Sequence, residues 1–209
     1  MKLFAVPSLA LFVVFFSLVT SADQGETLEN DSKETWGWRT AMITSLALTL
    51  ATNPLDADEF SVTTMSGEDV AGIKAGFRWH QPERLMTIGG LNLTHYYHFG
   101  YNYWQSLDVD GQEGVNNVLE FIPVFRFSGD DQGFLDYFET SVGVSVFSRS
   151  SLNDKQFSTN FQFANTLAVG GYVMPKLSWS LQLQHYSNNS IKLPNNGINF
   201  YNLTLAYRY

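Results

Sequence analysis

The 209-residue sequence contains no cysteine, so no disulfide braces the fold and stability has to come from packing or from lipid. Positive charge is scarce: 12 Lys and Arg stand against 20 Asp and Glu, a net charge of −8. That balance excludes nucleic acid as a partner, because phosphate backbones are bound by clustered Lys and Arg. After one apolar run near the start, no second run approaches the ~18 residues that a spanning helix needs. Zinc-type ligand spacing and phosphate-cradling glycine loops are missing too, so neither a metal nor a cofactor is expected.

What is present begins with Met1–Ala22, which has Lys2, an apolar run from Leu3 to Val19, and small residues Thr20, Ser21 and Ala22. This is the pattern of an export signal cleaved near Ser21 or Ala22. A membrane anchor fits less well, since the run is short and an acidic segment follows it. Asp23, Glu26, Glu29, Asp31 and Glu34 make Asp23–Thr35 a solvated lead-in. Thr35–Asn53 suits a short amphipathic or interfacial helix. Alternatively, Met42 followed by Ile43–Ala51 is itself a signal core, and translation starts downstream. The expected organisation is a signal at 1–22, an N-terminal extension at 23–57, and a barrel at 58–209.

From Phe60 onward the dominant signal is period two. Aromatic residues make up 15% of the chain, with 17 Phe and 10 Tyr, and they alternate with polar residues between Gly, Asn, Asp and Pro clusters. In the last segment Tyr201, Leu203, Leu205, Tyr207 and Tyr209 share one face, while Asn202, Thr204, Ala206 and Arg208 share the other. Similar splits recur around Leu181, Leu167, Val144, Phe121, Tyr97 and Phe77. With a shorter first strand near Phe60–Thr64 there are eight strands, an even number that returns both ends to the periplasm. The fold class expected is therefore all-β, an eight-stranded antiparallel outer-membrane barrel.

Soluble barrels alternate as well, but with the apolar face inward. Segments of ten or more residues and aromatics gathered at strand ends favour the membrane. Eight strands leave room only for side chains inside. Lys74, Arg78, Glu120, Arg126 and Glu139 fall on the polar face and are expected to neutralise one another in the lumen. Of the histidines, His98 shares that inward phase, His95 points outward, and His80 ends a strand.

One cluster breaks the barrel logic. Continuing the phase of Leu181 and Leu183 turns His185 and Ser187 outward, and the phase of Tyr201 carries Asn199 outward on the neighbouring strand. Adjacent strands are ~4.8 Å apart and i, i+2 residues ~6.6 Å apart, so an imidazole at 185 has both partners within reach. Asn199, His185 and Ser187 then read as orienter, base and nucleophile. With Tyr209 at the periplasmic boundary, ten steps of ~3.3 Å at ~40° tilt put Asn199 about 25 Å higher, at the outer leaflet. The plainer reading is that these polar residues mark where a strand leaves the membrane.

The run His185-Tyr186-Ser187-Asn188-Asn189, followed by Pro194-Asn195-Asn196-Gly197-Ile198, resembles the C-terminal signature of the lipid A 3-O-deacylases, the PagL family of outer-membrane acyl hydrolases. Gly143–Ser148 and Phe161-Gln162-Phe163 are similar to that family too, so the likeness covers roughly Phe60–Tyr209. The resemblance implies Ser187 as nucleophile, His185 as general base, Asn188 as an oxyanion donor, lipid A as substrate in the outer membrane, and no cofactor. A homodimer is left open. The family's acid, commonly Glu, is replaced here by Asn199, which orients an imidazole without neutralising imidazolium charge. Replacing a triad Asp by Asn costs a serine protease about 10⁴ in turnover, although Asn is the native orienter in papain-like enzymes. Two alternatives therefore stand beside a lipid A deacylase: a phospholipase-like acyl hydrolase, and a structural barrel that has lost turnover.

Overall fold

The structure, a computed structural model, describes residues 31–107, 114–130 and 133–209. The expected signal Met1–Ala22 and the first part of the acidic lead-in lie outside the described residues. The chain divides into two units, Met1–Asp56 and Ala57–Tyr209.

In the first unit, α1 spans Asp31–Thr52. It starts earlier than the sequence suggested, so the end of the lead-in is helical. It is not amphipathic either: apolar and hydroxylic residues are spread round it instead of gathering on one stripe. Two hydroxyls turn back on the helix, Thr49 Oγ1 to Ser45 O at 2.9 Å and Thr52 Oγ1 to Leu48 O at 2.6 Å. Asn53 follows in a left-handed conformation (φ 43°) and its N–H donates to Thr49 O at 3.0 Å, ending the helix. No helix among the described residues is long and apolar enough to cross a membrane.

The second unit is the expected closed eight-stranded antiparallel barrel. Its staves are β1 (Glu59–Gly67), β2 (Val70–His80), β4 (Leu91–Ser106), β5 (Val115–Ser128), β6 (Tyr137–Phe147), β9 (Phe161–Met174), β10 (Leu177–Ser187) and β11 (Ile198–Arg208). Each pairs with its neighbours in sequence order, and β1 with β11 closes the ring. The first strand runs nine residues, beyond the expected Phe60–Thr64. Three short strands were not anticipated: β3 (Met86–Ile88), which prolongs the sheet beside β4, and the small hairpin of β7 (Ser151–Leu152) and β8 (Lys155–Gln156).

Period-two patterning fixes which face looks where. Ile73, Phe121, Val142, Val144, Leu167, Leu181, Leu183, Leu203 and Leu205 are all exposed on the outer surface, as a wall that meets hydrocarbon requires. The lumen is polar and closed. Three buried carboxylates, Glu59, Glu120 and Glu139, stand against three buried cations, Lys74, Arg78 and Arg126, so the interior charge balances. Lys74 Nζ lies 2.8 Å from Glu120 and Arg126 Nε 2.8 Å from Glu139. Glu59 receives Arg78 at 3.4 Å and Arg208 at 3.0 Å. At the other end, Trp104 packs edge-on or tilted against Phe147, Tyr186 and Phe200 with ring centres 4.7–5.0 Å apart. That aromatic cluster fills the lumen at the level where β10 and β11 carry the candidate site.

Candidate active site on the outer face of β10 and β11

Alternation along β10 sorts its residues cleanly. Gln184, Tyr186 and Asn188 are buried, while His185 and Ser187 sit half-buried on the opposite, outer side. The inner set is heavily tied. Tyr186 Oη donates to Glu120 at 2.6 Å, Gln184 accepts from Lys74 Nζ at 2.7 Å, and Asn202 Nδ2 donates to Gln184 at 3.0 Å. These bonds hold β10 from within, so the outer residues project from a stiff support.

The β10–β11 register sets His185 directly opposite Asn199, which is exposed on the outer surface. Their side chains meet: His185 Nδ1 lies 2.7 Å from Asn199 Oδ1. An amide oxygen only accepts, so Nδ1 carries the proton, and in the neutral ring Nε2 keeps its lone pair. Gly197 supports the same ring from the side. Its φ is +62°, and a Cβ there would lie 3.0 Å from His185 Cε1 and 3.5 Å from Nε2, so the imidazole occupies space that any side chain would contest.

Ser187 shares the outer face with His185, two residues further along β10. Among the described residues, no hydrogen bond joins Ser187 Oγ to the imidazole. The structure thus brings His185 and Asn199 together and leaves Ser187 a neighbour along the strand.

Asn188 is put to a use other than the oxyanion role that the resemblance implies. It is fully buried. Its Nδ2 donates to Phe157 O and to Lys192 O, both at 2.8 Å, and its backbone N–H donates to Asn195 Oδ1 at 3.1 Å. Both amide hydrogens are engaged in pinning loops, which leaves none aimed at a reacting carbonyl.

One residue escaped the sequence reading. Asn165 on β9 pairs in register with His185 from the side opposite Asn199, so position 185 stands between two asparagines across three strands. The available signal was a break in phase, a polar residue between Phe163 and Leu167 on an otherwise apolar face. Of the remaining histidines, His98 lies in the lumen 3.3 Å from Glu120, and His80 ends β2 with Nε2 3.1 Å from Glu59. No group of residues suited to holding a metal occurs among the described residues.

The barrel belongs to a class with solved members. It matches a crystal structure of the outer-membrane enzyme PagL with a TM-score of 0.63 at 24% identity, covering 72% of this chain and 99% of that one. That likeness shows the fold. In sequence, the chain is 26% identical to lipid A deacylase PagL of Pseudomonas aeruginosa over 164 residues, 78% of this chain and 92% of that protein. It is 32% identical to lipid A deacylase PagL of Bordetella bronchiseptica over 123 residues, 58% of this chain and 65% of that protein. A family model described as lipid A 3-O-deacylase (PagL) matches residues 71–208, well over half of the chain. The chain belongs to the lipid A 3-O-deacylase family, and is thus an outer-membrane ester hydrolase by membership.

Proposed function

We propose that this protein removes the 3-O-linked hydroxyacyl chain of lipid A by a serine mechanism on the outer, lipid-facing surface of the barrel. Ser187 is the nucleophile, His185 the general base and Asn199 the orienter. The observation that carries the reading is the 2.7 Å contact between His185 Nδ1 and Asn199 Oδ1, in a chain of this family. It leaves Nε2 free to accept the Ser187 Oγ proton as Oγ attacks the ester carbonyl. The same proton then passes from Nε2 to the departing sugar oxygen, giving an acyl-enzyme that water cleaves in a second, equivalent cycle. A swing of the Ser187 or His185 side chain on substrate binding completes the hydrogen bond, since such contacts often tighten only in the complex. Lipid A enters sideways from the outer leaflet, so the closed lumen is no obstacle.

Expression in a bacterium lacking such activity, beside a Ser187→Ala variant, tests the reading. Mass spectrometry of lipid A should show loss of one hydroxyacyl chain only with Ser187 present. Unaltered lipid A with altered phospholipids would replace the substrate by a phospholipid. Unaltered lipids of both kinds, with a folded barrel, would leave a structural protein.

A further inference from the structure

The loop from Asn188 to Gly197 joins the two strands of the site, and several of its polar atoms hold its shape. Asn188 Nδ2 donates to Lys192 O at 2.8 Å, and Ile191 N–H donates to Asn188 O at 3.1 Å. Ser158 Oγ donates to Pro194 O at 2.6 Å, Asn196 N–H to Gln156 O at 3.2 Å, and Gln156 N–H to Asn196 Oδ1 at 3.2 Å. A loop tied to itself and to its neighbours is held in one shape.

Its tip nonetheless turns aliphatic side chains away from the protein. Ile191 is 68% exposed and Leu193 72%. Lys192 is exposed between them and makes none of the ion pairs found among the described residues. Of the other cations on the loops at this end, Lys155 is held by Glu68 at 3.2 Å, while Arg149 is exposed and likewise makes none of those ion pairs but has no aliphatic pair beside it. Two aliphatic side chains held in the open with a cation between them make a small amphipathic tip. The strands that carry this tip expose Leu181, Leu183, Tyr201 and Leu203 on the outer wall, with His185, Ser187 and Asn199 between that apolar surface and the tip. A lone cation between two aliphatic side chains complements an amphiphile with an anionic group at the edge of its acyl chains.

We infer that Ile191, Lys192 and Leu193 form a substrate-docking prong: the aliphatic pair seats among outer-leaflet acyl chains while Lys192 binds a phosphate of the lipid A molecule whose ester reaches Ser187. This deepens the proposed function and rests on it. The prong sets which ester is presented, by anchoring the headgroup beside the strand that bears the nucleophile.

Binding is measured on the full chain in detergent carrying Ser187→Ala, so that no turnover intervenes. Titration with diphosphoryl lipid A and with fully dephosphorylated lipid A should show Lys192→Gln weakening the former about tenfold and leaving the latter unchanged, with Lys192→Arg restoring affinity. Equal weakening on both lipids, or none, overturns the phosphate contact. Ile191→Ser combined with Leu193→Ser should weaken both lipids alike, and unchanged affinity overturns the apolar half. Heat-modified gel mobility verifies that each variant is folded. The parent hydrolase reading fails by a separate result, a Ser187-bearing chain that releases no hydroxyacyl group, which leaves these affinities interpretable.

Discussion

The two faces of β10 and β11 obey opposite rules. Inward, Gln184, Tyr186, Asn202 and Glu120 are buried and joined to one another by hydrogen bonds of 2.6–3.4 Å. Outward, His185 and Asn199 share a single bond and Ser187 is part-exposed. Side chains only one residue apart therefore sit in a dense buried network or in an open one. The contrast teaches that rigidity and chemistry are divided across the wall of the barrel: the inner network fixes the backbone, and the outer residues keep the freedom to meet substrate.

If that division holds, substitutions on the outer face should alter turnover and spare stability, and those inside should do the reverse. The largest effect is expected from Ser187→Ala, which should lower lipid A deacylation by about 10⁴-fold or more with an unchanged unfolding midpoint. Residual turnover near the parent level would remove Ser187 from the mechanism. Next comes Glu120→Ala, which leaves the Lys74 charge buried without its carboxylate and should cost about 3–5 kcal/mol in urea unfolding from detergent. A midpoint within experimental error of the parent would show that the lumen network does not brace β10.

Asn199→Glu sharpens the outer half of the comparison. A carboxylate facing His185 Nδ1 stabilises the imidazolium that forms during attack, so kcat should rise by roughly tenfold or more, within the ~10⁴ that separates Asp from Asn in a serine triad. A lower kcat would mean that the amide is itself the better partner here. The smallest effect is expected from Gly197→Ala, whose Cβ would press on the His185 ring at 3.0 Å from a backbone with φ +62°. It should reduce kcat several-fold and destabilise the barrel by about 1 kcal/mol. An effect on stability alone would show that the imidazole moves aside without consequence.

Most of the barrel was legible because each strand writes its environment twice, apolar residues on one face and polar residues on the other, while segment length and the aromatics at strand ends decide which face looks outward. The same phase put His185, Ser187 and Asn199 on the outer face. Asn165 is not legible from its own strand, whose outward face is otherwise apolar, because a partner two strands from Asn199 in space lies 34 positions away in sequence. The helix was misjudged at its start and in its character, since acidic composition speaks for solvation and does not forbid helix formation.

Composition and alternation alone thus determined the class of fold, the polarity of its wall and the charge-neutral lumen, because these follow from local spacing and from the solvent on each side. Only the tertiary structure decided that Asn199 bonds His185, that Asn165 flanks it, and that the Asn188 amide is consumed in holding two loops. Register between strands and the closing of loops depend on contacts distant in sequence, and no local pattern encodes them.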